Sequence, residues 1–187
     1  LINVLYNVVD RIYIGRIPGE ATLAMGGLGL CLPLISIINA FANLFGMGGA
    51  PLCSIARGRG DNEEAEKIMG NSFMLLIIFS VVLMVVGFIF KEDLLWLFGA
   101  SANTIGYAND YMTIYLLGTL FVLIGLGMNS FINSQGFAKI GMLTVLLGAV
   151  TNIILDPIFI FGFDLGVQGA AIATVISQFV SALWTLQ

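Results

Sequence analysis

Apolar residues run along this chain in blocks long enough to cross a bilayer, separated by short polar breaks. A hydrocarbon core about 30 Å thick needs about 20 apolar residues as helix, and six segments meet or approach that length. Their approximate bounds are 1–16, 21–56, 68–90, 104–134, 140–162 and 165–187. The first is a partial span with Asp10 and Arg11 inside it. The second carries no charge; it is too long for one upright span and too short for two. One long helix is predicted there, tilted or kinked at Pro33 and Pro51. The fifth is interrupted by Asp156-Pro157. The fold class that follows is all-α, a polytopic membrane protein.

The breaks have distinct characters. Gly15 to Glu20 is a turn containing Pro18 and Gly19. Arg57 to Lys67 is the most charged run, and Asp61 or Asn62 within it is placed to cap a helix whose first turn is acidic. Its glycines lack the Gly-Lys-Ser/Thr ending of a phosphate loop. Glu92 to Phe98 is amphipathic and is expected to lie at the membrane interface, anchored by Trp96. With six spans, the second and fourth connections share a side and hold Arg57, Arg59, Lys67 and Lys139, against Arg16 and Lys91 opposite. The positive-inside rule then puts the first end in the cytoplasm.

Composition agrees with lipid as solvent. Only 10% of the 187 residues are charged and 59% are hydrophobic, with a mean hydropathy of +1.02; a soluble domain carries about 25% charged residues. Glycine, at 23 residues, suits closely packed membrane helices. A net charge of −4 with few cations leaves no basic face for nucleic acid. No histidine is present, which removes imidazole bases and ligands. Cys31 and Cys53 read as buried hydrophobes rather than a disulfide or metal pair. No nucleophile–base constellation exists, so no enzyme activity is expected. The chain starts at Leu1 inside a helical pattern and stops at Gln187 inside another, and it reads as a fragment.

Charges at membrane depth are costly, about 2.5–3.5 kcal/mol at a helix centre on insertion scales. Asp156 is the most informative. Asn152 lies four residues before it, on the same helix face, and Pro157 cannot donate to the carbonyl of Ile153. A carboxylate, an amide oxygen and a freed carbonyl within one turn suit a hard cation or a proton. Asp10 fits an interfacial acid as well as a buried one on pattern alone, since adjacent Arg11 does not face it. Asp110 reads as a solvated helix end. Tyr111, Asn129 and Thr174 are uncharged polar residues on later spans, and singly each reads as glue between helices.

Together these stretches resemble the multidrug and toxic compound extrusion (MATE) family, in its amino-terminal six-helix lobe. Leu5 to Arg16 is similar to the family's first helix, with its acid and terminal Gly-Arg. Gly46 to Asp61 is similar to the end of the second helix and its loop. Asn152 to Pro157, followed by Gly166 to Thr174, is similar to the fifth and sixth. The resemblance implies one six-helix lobe of a twelve-helix transporter, with the carboxy-terminal lobe absent from this chain. It further implies a cation site made by Asp10, Asn152, Asp156 and Thr174, with the Ala170 backbone nearby. Tyr111 and Asn129 would belong to the same polar network, and Pro157 would act as a hinge. The four side chains would ligate Na⁺ if coupling is to sodium. No cofactor is expected beyond Na⁺ or H⁺ as coupling ion. The partners expected are small-molecule drugs or toxins, a monovalent cation and the lipid bilayer, in a multi-pass protein of the cytoplasmic membrane. A lipid-linked oligosaccharide flippase of related fold and a non-transporting membrane scaffold are the alternatives.

Overall fold

The computed structural model describes residues 2–187, and Leu1, the start of the expected first span, lies outside the described residues. Seven α-helices and one π-helical turn make up its regular structure, with no strand among the described residues. They are α1 (Ile2–Ile14), α2 (Ala21–Gly58), α3 (Asn62–Leu97), α4 (Ile105–Leu117), α5 (Thr119–Ser134), α6 (Ala138–Pro157), the π turn Ile158–Gly162, and α7 (Val167–Leu186). Among the described residues, four helical segments are long and apolar enough to cross a membrane, and α4 with α5 make a fifth if taken as one bent span.

The second segment is one helix of 38 residues that continues through Pro33 and Pro51. At 1.5 Å per residue it is roughly 57 Å long, which exceeds an upright crossing. α3 is 36 residues long and opens as the charge pattern foresaw. The Asp61 carboxylate accepts from the backbone N–H of Glu64 at 3.0 Å, with Glu63 and Glu64 in the first turn.

Three boundaries differ from the sequence reading. Glu92 to Leu97 is not a separate piece: α3 simply runs on through Leu97. The fourth segment is two helices, bent by 58° where α4 meets α5. At Gly118, between them, an added Cβ would lie 2.7 Å from the Val175 side chain. Only a glycine lets α7 approach so closely, and kinks gather at such residues. Finally, α6 is not broken by Asp156-Pro157: the chain stays helical and widens into the π turn beyond it. Pro157 removes one donor, and the longer π spacing absorbs the mismatch, as where Phe163 N–H reaches the Ile158 carbonyl at 3.0 Å.

α2 packs on α3, α4 and α5, while α7 packs on α4, α5 and α6, and α1 rests chiefly on α6. The main apolar core lies around Leu28, Ile38, Leu76, Met112 and Leu123. A smaller cluster gathers Ala50, Cys53 and Phe131. Both cysteines are free and buried.

Candidate cation site

α1, α4, α6 and α7 each send one or two polar side chains to a common point inside the bundle. Asp10 is 1% exposed, Asn152 and Asp156 are 0% exposed, and Thr174 is 3% exposed. Small residues bring the helices together there. A Cβ on Gly148 of α6 would collide with the Tyr6 hydroxyl and Ser181 Oγ, and one on Gly169 of α7 would lie 2.6 Å from the Phe159 carbonyl. Without these glycines α1 and α7 could not seat on α6 and its π turn.

Asp10 is the hub. Its Oδ2 accepts from Tyr111 Oη at 2.9 Å and from Thr174 Oγ1 at 3.0 Å. Its Oδ1 accepts from Asn152 Nδ2 at 3.3 Å. The same Nδ2 donates to Asp156 Oδ1 at 3.1 Å, one helical turn on, and to Thr174 Oγ1 at 3.4 Å. The two carboxyl groups are thus joined through one amide donor, Asn152 Nδ2. Asp156 Oδ2 and Asn152 Oδ1 are fully buried with no hydrogen-bond partner. Buried acceptors of this kind are rare and need a reason.

Charge makes the same point. No Lys or Arg lies within ion-pair distance of either acid; the one ion pair among the described residues is Lys67–Glu63, on the exposed start of α3. Two buried carboxylates that share one amide donor cannot both remain charged without a proton or a cation. The oxygens on hand are two carboxyls, an amide and a hydroxyl, which suits a hard monovalent ion. No group of three or more His, Cys, Asp or Glu side chains suited to a metal ion occurs among the described residues. Beside Asp10 lies a cavity of about 10 Å³, lined by Tyr6, Asn7, Tyr111, Thr174 and Gln178 among others, room for about one water.

The structure thus brings together Asp10, Tyr111, Asn152, Asp156 and Thr174. Ala170 is buried one turn before Thr174, with no side-chain donor of its own. Asn129 stands apart: it lines a separate cavity of about 20 Å³ with Tyr6, Thr144, Gln178 and Ser181, and its Oδ1 is buried without a partner. Asp110 is exposed, as its position at a helix start implied. It lines an outer cavity of about 540 Å³ together with Glu20, Tyr107 and Asp164.

Two residues escaped the sequence reading. Tyr6 lies one turn before Asp10, and Gln178 lies one turn after Thr174; both are buried, and both line the two small cavities. The spacing of four from a flagged polar residue was the available signal.

A bundle of long apolar helices around a buried acid, amide and hydroxyl cluster defines a polytopic membrane protein with an intramembrane polar site. The comparisons give its family. A family model described as MatE matches residues 1–158, and the chain belongs to that family. It is 32% identical, over 98% of its length, to a multidrug export protein MepA of Staphylococcus saprophyticus. Among solved structures, a multidrug resistance MATE family transporter of the MOP superfamily in an inward-facing conformation superposes with a TM-score of 0.92 at 30% identity, covering 98% of this chain and 41% of that one. The outward-facing conformation of a multidrug resistance MATE family transporter gives 0.89 at 29% identity, covering 98% and 40%. The chain spans about 40% of the length of the curated relatives it matches.

Proposed function

We propose that this chain is the cation-binding lobe of a multidrug antiporter. It would export cationic or amphipathic compounds across the cytoplasmic membrane as Na⁺ or H⁺ enters. The observation that carries the reading is the pair of buried carboxyls, Asp10 and Asp156, joined through one Asn152 amide with no Lys or Arg at ion-pair distance among the described residues. Such a pair is stable only when neutralised, and a neutraliser that arrives from one side and leaves to the other is a coupling ion. Relatives named multidrug export protein support the choice of drugs as the exported compounds.

Asp10 and Asp156 supply the charge, while Asn152 and Thr174 orient them through the hydrogen bonds above. With the pair neutralised, α1 rests against α6 through Asp10 and Asn152. With it charged, repulsion between the carboxyls favours an arrangement that separates them. The ion therefore binds the two arrangements unequally, which coupling requires. The π turn after Pro157 is where α6 can yield, since its widened hydrogen bonds are already irregular. The outer cavity with Glu20, Asp110 and Asp164 is acidic, which draws cations and disfavours the pyrophosphate of a flippase substrate.

The test is ethidium efflux from cells expressing the complete gene product, wild type beside Asp156→Asn at equal expression. The Na⁺ and proton gradients are collapsed in turn. Efflux that follows one gradient and disappears in the variant is the expected result. Wild-type efflux in Asp156→Asn overturns the coupling role, and no efflux from the wild type overturns the drug-export reading.

A further inference from the structure

Away from the carboxyls, between α2, α3 and α4, lies an apolar groove of about 190 Å³ with one charge on its lining. Its walls include Ile37 and Ile38 of α2, Val86 of α3 and Met112 of α4. The charge is Lys91, in the last two turns of α3. At Gly87 an added Cβ would lie 2.6 Å from the Leu116 side chain, so α3 and α4 close on each other just below the lysine.

Lys91 is half-buried and has no carboxylate within ion-pair distance among the described residues. Its Nζ donates to Thr113 Oγ1, whose own proton goes to the Asn109 carbonyl at 2.7 Å. It also sits 5.5 Å from the centre of the Phe88 ring. These contacts hold the ammonium in place without neutralising it. An ammonium has three N–H donors, and one serves Thr113. The flank around it is lipid-like: Val82, Val85, Ile89 and Phe90 are exposed along α3.

We infer that this groove is a binding site for an anionic phospholipid, with the acyl chain along Ile37 and Val86 and the phosphate on Lys91. The choice of occupant follows from charge. The cation on the groove's lining repels the cationic compounds proposed as substrates; exposed Glu92 and Asp93 follow it in sequence but do not line the groove. A zwitterionic lipid offers a phosphate without net charge. A bilayer lipid with a net negative headgroup satisfies both the groove and the ammonium. A basic residue near the membrane surface favours an anionic lipid about fivefold. The site is independent of the coupling proposal, since none of its residues is among the hydrogen-bond partners of Asp10 or Asp156.

Native mass spectrometry of the complete gene product tests it, after exchange into equal parts of phosphatidylglycerol and phosphatidylcholine with matched chains. The wild type should retain phosphatidylglycerol about fivefold over phosphatidylcholine. Lys91→Met should lose that preference and Lys91→Arg should keep it. Val86→Trp fills the groove beneath an intact cation and should lower retention of both lipids. Equal retention by the wild type, a preference that survives Lys91→Met, or unchanged retention in Val86→Trp each overturns the inference.

Discussion

The two flanks of this bundle handle charge in opposite ways. Where α1, α4, α6 and α7 meet, two carboxyls are buried on one shared amide, with only that amide, a hydroxyl and a phenol as partners. Where α2, α3 and α4 meet, a single ammonium stands half-buried at the rim of an apolar groove, steadied by a hydroxyl and a ring. The lysine can reach toward headgroups along its own stem, so its charge is permanent and tolerable. The carboxyls are short and buried, so their charge has to be cancelled by a proton or a cation. A permanent charge can anchor; a conditional one can couple.

The largest effects should come from the conditional side. Asp10→Asn should abolish gradient-driven ethidium efflux as Asp156→Asn does, and the double variant should lose no more than either single one. That non-additivity is expected because the acids act as one unit. Residual coupled efflux in one single variant but not in the double would show two separable sites instead. Packing comes next. Gly148→Val forces a side chain onto Tyr6 and Ser181 and should destabilise by about 1–3 kcal/mol, read as a lower thermal midpoint in detergent. Gly29→Ala, where an added Cβ meets nothing within 4 Å, should leave that midpoint unchanged or raise it. If both behave alike, the close seating of α1 on α6 is not what holds the site.

Much of the conditional side could be read beforehand, and for a physical reason. Asn152 and Asp156 are four apart on one helix, so their meeting is local geometry that any α6 would produce. Asp10 and Thr174 reach the same point from other helices, and only resemblance to a family linked them to it. Tyr6 and Gln178 carry no charge, so no burial cost singled them out. The bend at Gly118 depends on Val175 of a distant helix, and nothing near residue 118 announces that. Only the resemblance groups Asn129 with the acids; on its own it reads as glue between helices, and the fold turns it toward Ser181 and Thr144. On the permanent side, Lys91 looked like an ordinary loop cation, since the α3 extension that carries it into the groove is a matter of packing.

Smaller effects sharpen the contrast between buried and exposed pairs. Tyr111→Phe removes one hydrogen bond to Asp10 while keeping the ring. A bond to a charged acceptor contributes ~1.5–3 kcal/mol, so the cation concentration for half-maximal efflux should shift by roughly 10- to 100-fold, with the maximal rate largely kept. An unchanged midpoint would mean that Tyr111 only fills space. The smallest effect belongs to Lys67 and Glu63, whose side chains are 68% and 80% exposed at 2.6 Å separation. Water screens that pair, and an exposed i,i+4 pair contributes only ~0.3–0.5 kcal/mol. Lys67→Ala should therefore leave both efflux and the thermal midpoint near wild type. A marked loss of efflux with an unchanged midpoint would give that charged loop a functional contact, and the division of labour between core acids and surface ion pairs would have to be redrawn.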